Sequence, residues 1–224
     1  MATIFEDDFN SYTDGDLNGQ GGWSGDTAYD VQGTIVKEGA KAVECGSVVN
    51  VGIYKDGTPR NDGRITAYLR RNTNSSGRSY LTIKEGTTIC ANVRFMDDGN
   101  LQVHRNGAWE TYLAYSADIW YCIEIEWRSS DHKVRYRVNG GAWTDWGTAT
   151  NEWVTGLDRV RFDVWDQSAG DVGYWDYVAE YPMPPVVGRS FGYIFSKIYE
   201  HTKDLASRIF RIPALVNPNN LAPG

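Results

Sequence analysis

At 224 residues the chain can bury one sizeable core and has some length left over. A net charge of −7 argues against a nucleic-acid surface, which needs clustered Lys and Arg, and no run approaches the length of a membrane-spanning helix. Nine Trp, fourteen Tyr and 24 Gly favour twisted strands and tight turns over a helical protein.

The opening Met1-Ala-Thr-Ile-Phe-Glu-Asp-Asp8 has no basic start leading into an apolar stretch, which predicts synthesis in the cytoplasm without a secretory signal. Residues 3–9 read as a first strand, followed by a Gly/Asn/Asp-rich loop that Trp23 closes. Strand-like runs then recur near 29–37, 41–55, 63–71, 79–85, 88–96, 100–105, 109–115, 119–128, 133–138, 158–165 and 172–181. The turns between them are Asp56-Gly57, Asp62-Gly63, Asp97-Asp98-Gly99-Asn100, Asn106-Gly107 and Asn139-Gly140-Gly141. The clearest alternation runs from Trp120 to Trp127 and resumes from Val134 to Val138; a period of two places alternate side chains on opposite faces of a strand. Cys45, Cys90 and Cys122 fall in such runs and cannot all pair within one chain, which predicts buried free thiols.

After Tyr181 the composition changes. Residues 182–189 form a Pro-rich linker, and from Ser190 the period becomes helical. Phe191, Ile194, Ile198, Leu205, Ile209 and Ile212 share one stripe, with Ser190 as N-cap and Pro213 as stop. The last residues read as an extended tail. The expected organisation is therefore all-β: a two-sheet antiparallel jelly-roll sandwich over 1–181, with the linker at 182–189 and an amphipathic helix plus tail over 190–224. Three readings stand for the stripe: docking onto partner subunits or copies of itself, packing on its own sandwich, or lying on an anionic membrane surface.

The residues Phe5-Glu-Asp-Asp-Phe9 with Gly19-Gln-Gly-Gly-Trp23, the hairpin Asp98-Gly-Asn-Leu101 to Asn106-Gly-Ala-Trp109, Trp120-Tyr121, and the closing Gly173-Tyr-Trp-Asp-Tyr-Val178 resemble the concanavalin A-like lectin/glucanase superfamily, including its laminin-G-like jelly rolls. The resemblance covers residues 3–181. It implies a closing strand that pairs with the first, and a structural Ca²⁺ near those strands, with Asp7, Asp8 and Asp176 as ligands. Asp14, Asp16 and Asn18 match the start of an EF-hand loop; Gly25 at the position of the closing Glu favours an Asx/Gly-rich turn instead. No cofactor is otherwise required.

Glucanases of this superfamily carry E-x-D-x-x-E on one strand; here Glu124 and Glu126 share a face, the third carboxylate is missing, and their alternation marks a solvated side. Gln102-Val-His104 is similar to a strand of polysaccharide lyases, whose other motifs are incomplete here, and predicts an exposed His. Trp23, Trp109, Trp143, Trp146 and Trp165 lie at or near turns, where an indole can stack on a sugar ring or merely cap the sandwich. The favoured expectation is a non-enzymatic, lectin-like display protein, a virion component such as a bacteriophage decoration or tail-appendage protein, attached through its C-terminal segment. The alternatives are a polysaccharide hydrolase or lyase with an unusual site, and a secreted carbohydrate-binding module whose signal has been trimmed.

Overall fold

The computed structural model describes residues 5–183; the predicted linker beyond 183, helix and tail lie outside the described residues. Sixteen strands form: β1 (Phe5–Asp7), β2 (Gly15–Asp16), β3 (Trp23–Gly25), β4 (Asp30–Gln32), β5 (Ala42–Cys45), β6 (Val51–Arg60), β7 (Gly63–Arg71) and β8 (Arg78–Glu85). Then come β9 (Thr88–Phe95), β10 (Asn100–Arg105), β11 (Ala108–Ala114), β12 (Tyr121–Arg128), β13 (Lys133–Val138), β14 (Gly147–Thr148), β15 (Leu157–Trp165) and β16 (Gly173–Tyr181). No helix forms among the described residues.

The strands make two antiparallel sheets. The first runs β14-β13-β12-β7-β16-β5-β4-β2, with β1 also on β16; the second runs β11-β10-β9-β8-β15-β6-β3. The expected pairing of first and closing strands forms, with Phe5 opposite Glu180 and Asp7 opposite Val178.

Alternation decides which side chains meet between the sheets. On β7, Ile65, Ala67 and Leu69 are buried and Arg64, Thr66, Tyr68 and Arg70 face outward. An aromatic stack fills the core: Trp23 lies on Phe162 at 4.9 Å and Phe162 on Trp175 at 5.3 Å. Trp23 is 1% exposed and donates from Nε1 to Asp7 Oδ2 at 2.8 Å, so the expectation of a sugar-stacking role for it is corrected. Trp23 opens β3, opposite Lys55 on β6, and from there its indole packs into the core.

Other boundaries also move. Only residues 30–32 of the run 29–37 form a strand; the backbone N–H groups of Lys37 and Glu38 instead donate to Asp176 Oδ2 at 2.7 and 2.9 Å. The run 41–55 breaks at 46–50. Asp56-Gly57 lies inside β6, at the register shift opposite Leu157 and Arg159, so the irregular residues build a bulge in place of a turn. Asn106-Gly107 does make a two-residue hairpin, with both φ values positive at 55° and 76°. Asn139-Gly140 turns likewise, at 51° and 67°, but the return strand starts only at Gly147.

Candidate functional site

The two outer faces carry the same residue types, Arg and Trp, and use them differently. On the first sheet, Glu124 and Glu126 of β12 lie beside Arg137 and Arg135 of β13, with Arg64 on the other flank. Arg64 Nη2 and Arg135 Nη2 reach Glu126 at 2.6 and 2.5 Å, and Arg137 is forked onto Glu124. The expectation of a solvated carboxylate face is corrected: Glu126 is 0% exposed and Glu124 7%. The irregular segment 141–146 lays Trp143 over Arg64, Arg135 and Arg137 at 5.4, 4.7 and 4.6 Å, and Trp146 over Arg128 and Arg135 at 4.2 and 4.5 Å. Those two indoles cap an ion-paired layer in which three arginines share two carboxylates. Neither carboxylate is placed to meet a substrate.

The second sheet has a depression of about 250 Å³ on its outer face, lined by Arg78, Tyr80, Thr82, Ile89, Asn92, Arg94, Trp109, Asp163 and Trp165. Register assembles it: Arg94 on β9, Tyr80 on β8 and Asp163 on β15 are successive partners, as are Asn92, Thr82 and Arg161. Opposite Asp163 on β6 stands Gly52; a Cβ there would collide with Arg161 and Asp163, so this glycine lets their ion pair lie flat across the sheet. The floor is polar yet sunken, with Thr82 1% and Asn92 and Asp163 each 7% exposed.

Thr82 Oγ1 lies 3.1 Å from Asn92 Oδ1 and 3.3 Å from Asp163 Oδ2, and Arg161 Nε donates to Asp163 Oδ1 at 2.5 Å. Burial pushes the Asp163 carboxyl upward, against the pull of Arg161. The walls are aromatic: Tyr80 packs against Trp165 at 5.6 Å and Trp109 at 6.3 Å. Trp165 keeps 44% of its surface in solvent. Arg94 covers one face of Trp109 at 3.8 Å while its Nε and Nη2 donate to Gln102 Oε1 at 2.9 and 2.7 Å. His104 is half-buried, edge-on to Trp109 at 5.1 Å with Nδ1 3.0 Å from Thr150 Oγ1. The expected exposed His is thus corrected, and burial, with Arg94 nearby, lowers its pKa.

Of the five indoles expected to stack on sugar, Trp109 and Trp165 line the depression, Trp143 and Trp146 cap arginines on the other sheet, and Trp23 is core. Tyr80, Asn92, Arg94 and Asp163 were not foreseen. Their signal was outward-facing polar residues on adjacent strands, which looked like ordinary solvated surface.

The expected metal ligands are not brought together. Asp7 accepts from Tyr12, Trp23 and Lys55, Asp8 from Asn10, and Asp14 pairs with Lys41. Asp16 caps the backbone of Asn18, whose own Oδ1 accepts from Gly25, while Asp176 takes Lys37 and Glu38. No cluster of three or more His, Cys, Asp or Glu suited to a metal ion exists among the described residues. Cys45, Cys90 and Cys122 are free; Cys122 is only half-buried, because it faces outward from β12.

No protein-family model and no curated protein matches the chain. Solved structures do. A sialidase matches with TM-score 0.64 at 12% identity over 81% of this chain, which spans only 18% of the sialidase. The T. cruzi calreticulin globular domain matches with TM-score 0.55 at 9% identity, covering 91% of this chain and 100% of that one. The Bacillus licheniformis β-glucanase matches with TM-score 0.53 at 11% identity, covering 80% and 98%. What the chain shares with these structures is its β-sandwich of two antiparallel sheets. At these identities the likeness is one of architecture, and the chemistry of the depression has to be argued from its own residues.

Proposed function

We propose that this chain is a non-enzymatic, lectin-like module that binds a sugar chain in the depression of the seven-stranded sheet. One observation carries the reading: a sunken polar floor (Thr82, Asn92, Asp163) lies between aromatic walls, one of which, Trp165, keeps an open face. A sugar ring has an apolar face for an indole and hydroxyls for paired donors and acceptors, and pockets with apolar walls and few convergent polar groups are the usual form of small-ligand sites. Retaining or inverting hydrolysis needs two carboxyl groups flanking the scissile bond. The depression offers Asp163, already ion-paired to Arg161, which favours binding over cleavage.

Display on a larger assembly, such as a phage particle, is the finer part of the proposal. Its support is the sequence pattern of 182–224, a Pro-rich linker before an amphipathic stripe. Affinity electrophoresis through gels of immobilised polysaccharide tests the binding reading. Retardation by at least one polysaccharide, reduced about tenfold in affinity by Trp165→Ala and unchanged by Trp143→Ala, is expected. Equal loss in both variants, or no retardation by any polysaccharide, overturns it.

A further inference from the structure

The charges of the two outer faces do not balance alike. On the first sheet Arg64, Arg135 and Arg137 are each ion-paired, sharing the two carboxylates of Glu124 and Glu126. On the second, the ion pairs around the depression are Arg161 with Asp163 and Arg78 with Asp166, the latter at 3.3 Å with an Asp side chain 55% exposed. Arg94 and Lys84 join no ion pair among the described residues, although Lys84 is only 9% exposed. Of these two only Arg94 lines the depression, so a chain with net charge −7 keeps one cation there outside any ion pair among the described residues.

Arg94 is also held in one orientation. Trp109 lies under its plane and Gln102 takes Nε and Nη2, which leaves Nη1 without a protein partner among the described residues. Across the floor, Asn92 uses its Oδ1 on Thr82, and its Nδ2 has no side-chain partner. Arginine in a fixed fork beside a free amide donor is a receptor for an anionic oxygen group, and its desolvation on an aromatic face strengthens that preference.

We infer that the depression selects an anionic sugar, its carboxylate or sulfate held by Arg94 Nη1 and Asn92 Nδ2 while a neighbouring ring stacks on Trp165. The inference rests on the sugar-binding reading and adds the ligand's charge to it.

The test is a calorimetric titration of the full chain with four pairs of probes. Three are galacturonate, mannuronate and guluronate tetramers, each against its methyl ester; the fourth is a sulfated galactan tetramer against its desulfated form. At least tenfold tighter binding of the charged member of one pair is expected, and the pair that discriminates identifies carboxylate or sulfate. Arg94→Gln should bring the ratio of charged to neutral affinity close to one, whatever it does to the affinity for the neutral probes, and Arg94→Lys should retain part of the preference. Melting curves of both variants check that each is folded. Equal or tighter binding of the neutral members overturns the charge inference and leaves the sugar-binding reading standing. No binding of any probe, charged or neutral, overturns both.

Discussion

Arg94 lies flat on Trp109, its guanidinium carbon 3.8 Å from the ring centroid, and this pair forms one wall of the depression. The two residues come from different strands, β9 and β11, separated by β10, so their contact fixes the outer edge of the second sheet. A cation on an indole contributes about 0.5–2 kcal/mol, depending on desolvation. A double-mutant cycle of Trp109→Ala and Arg94→Gln in urea should therefore give a coupling energy near 1 kcal/mol. Additive effects would show that the stacking does not hold the wall.

Glu126 stands fully buried between Arg64 and Arg135. Removing one member of a buried ionic layer leaves uncompensated charge, which typically costs about 3–5 kcal/mol. These arginines retain partial solvent exposure, so Glu126→Ala should destabilise by about 3 kcal/mol in urea unfolding. Sugar binding should be untouched, because the layer lies on the other face of the sandwich.

Glu180 points between the sheets beside a void of about 20 Å³, lined also by Phe5, Ile65, Ile83 and Trp127. Burial raises its carboxyl from 4.5 to about 7, with Arg60 opposing. The folded state thus holds this proton more tightly than the unfolded chain does. The resulting stabilisation is full below the unfolded value of 4.5 and is lost as pH rises through about 7. With solvent screening discounted, Glu180→Gln should gain about 1–2 kcal/mol over the wild type at pH 8.5 and nothing at pH 4. Thermal melts at the two pH values measure this; an equal change at both would contradict it.

Much of the sandwich was legible because a half-buried strand writes its burial into alternate residues. The stretch 119–128 gave β12 almost to the residue, and Asn106-Gly107 gave its hairpin through the positive φ that these residues tolerate. Asp56-Gly57 has the sequence of a turn and the structure of a bulge, because both call for the same residues. The site was less legible, since period two tells which face a residue takes but not what covers that face. Glu124 with Glu126 and Thr82 with Asp163 are all outward and all buried, the first pair beneath tryptophans and arginines, the second within a depression. Trp109, Trp143 and Trp165 could be separated only once the strand order was known, because neighbours across the sheet decide which indole stays open.

The most direct measurement is a ¹H–¹⁵N spectrum of the tryptophan indoles during titration with a retarding polysaccharide's oligomer. The indole signals of Trp165 and Trp109 should shift with saturating amplitude, while those of Trp143, Trp146 and the core Trp23 stay in place. Shifts confined to Trp143 and Trp146 would put the ligand on the opposite sheet and contradict the account.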